Sequence, residues 1–202
     1  MTVEKVYKTD SQVIEYTNEW YDQLIEFFKK AKELKLENNI SFDAMKWDIA
    51  KWWISVDDNK IVGISGCHPL PEGQTEEWRV MFRAAILPEY RNRFKNLTRS
   101  NINSETTHYH MPLQINWIKK NYLNAKRFVI TTNVENENPV YMKSNRVFYI
   151  MEGTGIVKKL RTDTIYYTEQ TVWEVSEERL LSIRREFRER LGYNPNDLDD
   201  LE

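Results

Sequence analysis

Several residue types that mark common classes of small protein are scarce in this chain. Of its 202 residues, one is Cys and three are His. The single cysteine, Cys67, excludes an internal disulfide framework, and so few soft ligands argue against a dedicated zinc site. Only six residues are Gly, fewer than the average share of about 7 % would give. This shortage bears on function, because loops that cradle phosphate groups are normally rich in glycine.

Long apolar segments are also missing. The chain has no run of about 18 apolar residues, the length that a membrane-spanning helix needs. Its first ten residues, MTVEKVYKTD, lack the apolar centre of a secretory signal peptide. Together with the near absence of cysteine, these features predict a cytoplasmic protein that makes no use of a membrane.

Neither sign of charge dominates, since the chain has 29 Lys and Arg and 31 Asp and Glu, which give a formal net charge of −2. This balance argues against a protein that binds nucleic acid over its whole surface, for which a pI above about 9 is usual. Aromatic residues are plentiful, with seven Trp, eleven Tyr and eight Phe. They argue against intrinsic disorder and predict a folded domain with a substantial core.

The spacing of apolar residues predicts an α/β protein with elements in the order β-α-α-β-β-β-α-β-α-β-β and a further helix at the end. The predicted strands are 3–7, 51–56, 60–67, 77–87, 127–132, 156–160 and 165–175, and the predicted helices are 19–36, 41–48, 112–122, 138–151 and 176–191. This order favours a mixed, mostly antiparallel central sheet with helices on both faces. The strand 127–132 is the one placed for parallel pairing with an earlier strand, because a crossover helix precedes it.

The predicted elements group into one domain over residues 1–175, a C-terminal amphipathic helix over 176–191 and an acidic tail over 192–202 that we expect to fray. One stripe of the helix is apolar and consists of Leu180, Ile183, Phe187 and Leu191. The stripe favours packing of the helix on the same domain. A helix that binds a partner protein is the alternative.

Local patterns add further expectations. Asn18 should cap the helix 19–36. Cys67 and His68 should point in opposite directions, with Cys67 buried and His68 in a loop, so that they form no nucleophile–base pair. His108 and His110 have no carboxylate cluster beside them, so we predict no metal site. In strand 77–87, one face should carry Trp78, Val80, Phe82, Ala84 and Ile86, and the other Arg79, Met81, Arg83 and Ala85.

A basic stretch begins in this strand and continues after it. One acidic residue, Glu89, accompanies six basic ones, which are Arg79, Arg83, Arg91, Arg93, Lys95 and Arg99. Such a local surplus of positive charge suits a pyrophosphate and a further phosphate group. An ordinary solvated surface or a contact to nucleic acid is the alternative.

The segment Ile86-Leu-Pro-Glu-Tyr-Arg-Asn-Arg93 directly follows the strand. It resembles the strand-end signature of the GNAT superfamily of acyl-CoA N-acyltransferases, and the element order is similar to that family over residues 3–175. The resemblance implies a GNAT fold. It also implies direct transfer of an acyl group, with acetyl expected, from acyl-coenzyme A to a primary amine in a ternary complex.

The resemblance also implies which residues bind the co-substrate. The backbone of Ala85, Ile86 and Leu87 would pair with the pantetheine arm, and one N–H of this strand would polarise the thioester carbonyl. The phosphates would be held by the segment that consists of Arg91, Asn92, Arg93, Phe94, Lys95 and Asn96. Asn145, on the helix 138–151, would complete the coenzyme site.

The chain differs from the family pattern at two positions. Phe94 stands where the family has Gly, and Asn96 stands where the family has Gly or Ala. These two positions separate an enzyme from its alternative, a catalytically silent GNAT-like module for binding or assembly. A third hypothesis is a nucleic-acid-binding protein that uses the basic stretch together with Tyr90 and Phe94.

Acyl transfer to an amine requires a base for the ammonium and an acid for the leaving thiolate. In the family the acid is often a Tyr four residues before a Gly at the end of the penultimate helix. Counting back from Gly153 selects Tyr149, whereas counting from Gly155 selects Met151. Tyr141 is a second candidate acid. Glu77, next to Glu76 at the start of strand 77–87, is the candidate base.

The acceptor amine is open at this stage and belongs to a small molecule or to a protein. No substrate-specific motif is visible, and a homodimer is left open.

Overall fold

The computed structural model describes residues 12–34, 50–70, 76–90, 110–134, 148–165, 167–190 and 192. Its strands are β1 (Gln12–Glu15), β2 (Lys51–Asp57), β3 (Lys60–Pro69), β4 (Glu77–Ile86), β5 (Arg127–Asn133), β6 (Val157–Ile165) and β7 (Thr168–Val175). Its helices are α1 (Tyr21–Glu33), α2 (Met111–Asn121) and α3 (Glu177–Arg190), together with the helical residues 148–153. None of the described helices is long and apolar enough to cross a membrane.

The seven strands form one sheet in the order β1-β2-β3-β4-β5-β7-β6. Five of its six neighbouring pairs are antiparallel, and β4 and β5 are parallel. The predicted mixed, mostly antiparallel sheet is therefore confirmed, and so is the parallel pairing of the strand that begins at Arg127.

Helices cover both faces of the sheet, as predicted. On one face, Leu24, Phe27 and Ala31 of α1 pack with apolar residues of β2, β3 and β4. On the other face, α2 and α3 pack over the middle of the sheet. The residues that build this second cluster include Trp53, Trp78, Met111, Ile115, Ile118, Ile130, Trp173, Leu180 and Ile183.

Several local expectations are wrong. A 3-10 helix covers Asn18–Trp20 and α1 begins after it, with no side-chain capping bond at either start, so Asn18 is not a cap. The sequence pattern does not predict the strand Gln12–Glu15. The predicted elements 3–7 and 41–48 lie outside the described residues.

Two strands are longer than their sequence indicates. β3 runs to Pro69, which pairs with Trp78, so His68 lies in a strand and not in a loop. Proline is tolerated there because the last residue of a strand need not donate a ladder hydrogen bond. β6 continues through residues 161–164, beyond the predicted end of that strand at residue 160, and Ile165 pairs with Thr168. Its β-branched threonines favour an extended backbone.

Candidate active site

The parallel strands β4 and β5 are paired over only three residues each. Glu77, Trp78 and Arg79 pair with Arg127–Val129. Beyond these residues, β4 stays paired with β3 as far as Ile86, and β5 stays paired with β7, but the described parts of β4 and β5 show no further pairing with each other. The strands diverge and leave the facing edges of residues 80–86 and 130–133 without a ladder between them. We call this gap the β4–β5 opening.

Two bulges bend β4 next to the opening. His68 pairs with Arg79 and Gly66 with Phe82, so β4 has one residue more than β3 between these pairs. The same happens between Phe82 and Ala85, which pairs with Ile64. A bulge bends its strand and increases the local twist, so the two bulges turn β4 away from β5.

The backbone of the bulges is in the left-handed region at two residues other than glycine. Met81 has a φ of 57° and Arg83 a φ of 51°. Such a conformation costs roughly 1–2 kcal/mol for a residue with a Cβ atom. The surrounding contacts must therefore hold the bulges in place.

The bulges also overturn the predicted alternation of faces along β4. Trp78 and Val80 pack with α2, whereas Phe82 and Ala85 pack on the opposite face with α1. The strict alternation is wrong because every bulge inserts one residue and so reverses the facing of the residues after it.

Three of the predicted co-substrate residues lie along the far half of β4. Ala85 and Ile86 pair with β3, and the Leu87 N–H donates to the Val62 carbonyl at 2.9 Å. Their side chains are buried, so a ligand could meet these residues only at backbone groups that do not bond to β3. The remaining predicted co-substrate residues, Arg91, Asn92, Arg93, Phe94, Lys95, Asn96 and Asn145, lie outside the described residues, as does Tyr141.

Tyr149 lies on the helical residues 148–153, on the same sheet face as α2. Its ring meets the edge of Trp173 with 5.4 Å between centroids, and Trp173 is the β7 partner of Ile130 on β5. Tyr149 is 57 % exposed and lies at the surface against β7, the strand next to β5 in the sheet.

The end of this helix decides between the two ways of counting. Gly155 has a φ of 77°, its N–H donates to the Glu152 carbonyl at 2.9 Å, and the Ile156 N–H donates to the Met151 carbonyl at 3.0 Å. This pattern is a Schellman motif with Gly155 as the terminating residue. Counting back four residues from it gives Met151, which is buried and has no hydroxyl group. Tyr149 therefore stays a candidate because of its position, without support from the count.

Glu77 lies where β4 and β5 are still paired. Its two carboxylate oxygens accept hydrogen bonds from the Arg161 guanidinium at 2.5 and 3.1 Å, and one of them lies 3.4 Å from Arg127 Nη1. Hydrogen bonding to Glu77 raises the pKa of Arg161. The oxygens that a general base would use are thus already engaged by two cations.

Cys67 and His68 point to opposite faces and Cys67 is buried, as predicted, but His68 is buried as well and lies in a strand. Cys67 packs with α2, and burial raises the pKa of its thiol. His68 lies edge-on to Phe82 with 4.6 Å between ring centroids. Within the described residues, no group of three His, Cys, Asp or Glu side chains could hold a metal ion.

Sequence reasoning missed a set of buried polar side chains behind the first bulge. They are Ser55, Ser65, His110 and Gln114, and all are fully buried. The available indication was that each interrupts an apolar run, as in WWISV or MPLQI.

Comparison with protein-family models and with curated protein sequences gives no match, whereas comparison with solved structures gives many. An acetyltransferase from Streptococcus agalactiae aligns over 84 % of this chain and 100 % of its own, with a TM-score of 0.50 and 15 % identity. The aminoglycoside acetyltransferase AAC(6')-Ib, in complex with coenzyme A and kanamycin, aligns over 86 % and 99 %, with a TM-score of 0.50 and 7 % identity. A GNAT family acetyltransferase from Elizabethkingia anophelis with acetyl-CoA bound aligns over 84 % and 99 %, with a TM-score of 0.46 and 13 % identity.

The chain has the GNAT fold. This confirms the fold that the resemblance in the sequence implies. At these identities the likeness concerns the fold alone, so the function has to be argued from the site.

Proposed function

We propose that this protein is an N-acyltransferase, which transfers the acyl group of acyl-coenzyme A directly to a primary amine. Acetyl is the proposed acyl group. The observation that carries the proposal is the β4–β5 opening, in which two adjacent parallel strands separate within the sheet. An extended ligand with amide groups can lie in such a gap and pair with a strand edge. The pantetheine arm of coenzyme A has this chemistry.

In the proposed complex, those backbone groups of Ala85, Ile86 and Leu87 that do not bond to β3 pair with pantetheine, and a β4 backbone N–H polarises the thioester carbonyl. The amine nitrogen attacks the carbonyl carbon, a C–N bond forms, the C–S bond breaks and the thiolate takes up a proton. Tyr149 or Tyr141 supplies this proton, and Glu77 is the proposed base.

The phosphates are assigned to the basic segment that consists of Arg91, Asn92, Arg93, Phe94, Lys95 and Asn96, with Asn145 nearby. The acceptor is proposed to be the amine of a small molecule in the first instance. The aminoglycoside acetyltransferase supports this choice, because it is a protein of the same fold that acts on an amine-bearing small molecule.

Thermal unfolding with acetyl-CoA tests the proposal. We expect saturable stabilisation at up to about 1 mM ligand, the upper end of usual KM values, because a ligand that binds only the folded state raises its stability. Replacing Arg91 and Arg93 by Ala should abolish most of this shift, whereas replacing the exposed Lys158 and Lys159 of β6 should leave it unchanged. Absence of any shift in the unmodified protein would contradict the enzyme and favour the silent GNAT-like module.

The candidate acid is tested by Tyr149→Phe. Loss of a general acid should lower kcat by about 100-fold or more with little change in KM for acetyl-CoA. Tyr167→Phe is the matched control, since Tyr167 is fully exposed. If kcat of Tyr149→Phe equals that of the wild type, Tyr149 is not the general acid, and Tyr141 is then the proposed acid.

Glu77→Gln separates two roles of the predicted base. Loss of the Arg161 and Arg127 ion pairs should lower stability by about 1 kcal/mol, a small value because both arginines are partly exposed. As the base, Glu77 would also be needed for turnover, and kcat would fall by about 100-fold. A reproducible decrease in unfolding temperature with unchanged kcat would assign the carboxylate to the ion pairs alone.

A further inference from the structure

A chain of buried hydrogen bonds reaches the first bulge of β4 from the core. The Met81 backbone N–H donates to Gln114 Oε1 at 2.9 Å, and Gln114 Nε2 donates to Ser65 Oγ at 2.8 Å. Ser65 Oγ lies 2.8 Å from His110 Nδ1, and His110 Nε2 lies 2.7 Å from Ser55 Oγ. These hydrogen bonds connect β2, β3, the start of α2 and β4.

The donors and acceptors of this hydrogen-bond chain are matched throughout. Burial lowers the pKa of His110 to about 3, so its imidazole is neutral and has one donor and one acceptor nitrogen. Ser65 Oγ accepts from Gln114 and keeps one hydrogen and a second lone pair, so both tautomers of His110 satisfy the two serine contacts. In one, Ser65 donates to Nδ1 and Nε2–H donates to Ser55; in the other, Nδ1–H donates to Ser65 and Ser55 donates to Nε2.

The same chain determines how the Gln114 amide is oriented. Its nitrogen must face Ser65 and its oxygen must face Met81, since an inverted amide would place an N–H group against the Met81 N–H. Gln114 thus presents an acceptor to the residue that has the strained φ of 57°. Loss of the acceptor would leave the Met81 N–H, which is part-buried, without this partner.

We propose that Gln114 is a positioning residue, which holds Met81 in the first bulge and thereby sets the course of β4 along the β4–β5 opening. The inference rests on the proposed function where it concerns acyl-CoA. It rests on the hydrogen bonds alone where it concerns the bulge. Ser65 and His110 act behind Gln114 by keeping its amide in one orientation.

Backbone amide exchange in the free protein tests the hold on the bulge. Gln114→Met keeps the length of the side chain and removes both hydrogen-bonding groups, so exchange at Met81 should become about tenfold faster or more. Ser55→Ala is the control, because it removes only the hydrogen bond farthest from Met81 and leaves Gln114 in place. Exchange at Met81 should stay close to that of the wild type. An unchanged rate in Gln114→Met, or an equal acceleration in both variants, would overturn the proposal. Should Gln114→Met fail to fold, Ser65→Ala takes its place and should give a smaller acceleration at Met81.

The conservative variant Gln114→Glu supplies a readout that a purely structural role would not move. A carboxyl group accepts a hydrogen bond from the Met81 N–H whether or not it is protonated, so Gln114→Glu keeps the acceptor that Gln114→Met removes. Exchange at Met81 should therefore stay close to the wild-type rate in Gln114→Glu, although burial of a carboxyl group lowers the global stability of that variant. An acceleration at Met81 as large as in Gln114→Met would contradict this role.

Binding separates this inference from the proposed function. If the unmodified protein binds acetyl-CoA, Gln114→Met should weaken binding by about tenfold and Ser55→Ala should not. Equal affinity in wild type and Gln114→Met would overturn the effect on the opening. If the unmodified protein binds no acetyl-CoA, the proposed function fails, and the exchange measurements still decide whether Gln114 holds the bulge.

Discussion

At the scale of single residues, two histidines are buried in a neutral form. His68 packs against the Phe82 ring and donates through Nδ1–H to the Pro69 carbonyl at 2.8 Å. Burial, with a smaller contribution from Arg79, lowers the pKa of His68 to about 4. Burial alone lowers that of His110 to about 3. As the pH falls, both imidazoles are therefore protonated in the unfolded chain at a higher pH than in the native protein.

This difference predicts that stability depends on pH below neutrality. Between a pH of about 6.5 and 4, the unfolded state binds more protons than the native state, so the free energy of unfolding falls as the pH falls. It is at its full value above about pH 6.5, and each histidine contributes up to about 1.4 kcal/mol per pH unit within the window. Urea unfolding at several pH values measures the slope.

The variant His68→Leu isolates one of the two contributions. Between pH 4 and 6, it should reduce the slope of the free energy of unfolding against pH by the equivalent of about one proton taken up on unfolding. This holds whatever its effect on stability at pH 7. An unchanged slope in His68→Leu would show that His68 is charged or exposed in the native protein.

At the scale of elements, β2 and β3 meet in a contact that only glycine allows. A Cβ atom at Gly66 would lie 2.9–3.0 Å from ring atoms of Trp52, and Trp52 is itself buried against Phe82 with 5.5 Å between centroids. Phe82 is the β4 partner of Gly66 and lies between the two bulges. The packing of this glycine thus supports the part of β4 that borders the opening.

Gly66→Ala should therefore destabilise the protein by about 1–3 kcal/mol, because the buried indole cannot move aside without strain. Gly153→Ala is the matched control. Gly153 is helical and has no neighbouring atom within 4 Å of an added Cβ, so this change should stabilise the protein by about 0.5–1 kcal/mol. Denaturant unfolding measures both, and a neutral Gly66→Ala would contradict the close packing.

The elements also show how far local sequence patterns reach. The predicted strands 51–56 and 60–67 leave room for only a short turn, and β2 and β3 are joined by one there, with Asp58 and Asn59 at φ values of 47° and 55°. Turns of this kind depend on the turn residues themselves. The bulges of β4 could not be predicted, because a bulge is a mismatch of length between two strands and is absent from the pattern of either strand alone.

At the scale of the whole molecule, α3 contributes to the main core. Leu180 and Ile183 are buried in the same cluster as Trp78 and Trp173, which belong to the middle of the sheet. The apolar stripe that the sequence predicts on this helix is therefore used, at these two residues, within the chain itself.

Ile183→Ala should lower the free energy of unfolding by about 2–4 kcal/mol, since it leaves a cavity in the core. Arg185→Ala, two residues away on the exposed side, should change it by less than about 0.5 kcal/mol. A small effect of Ile183→Ala would show that α3 can leave the domain, as the partner-binding alternative requires.

The candidate site shows the same division between local and long-range information. The proposed backbone role of Ala85, Ile86 and Leu87 came from the resemblance of a short motif next to a strand, and these residues do lie along β4 and its end. The contacts among Gln114, Ser65 and His110 were not predicted, because polar residues far apart in sequence come together only when α2 packs on the sheet.

The sequence by itself determined the class of fold, the order of most elements and the presence of a buried aromatic core. It could do so because hydrophobic periodicity and turn residues act over a few neighbouring positions. Only the tertiary structure decided that β4 carries two bulges, that β4 and β5 separate after Arg79 and that Gln114 meets Met81. Those features depend on strand register and helix packing, in which residues distant along the chain contribute to one contact.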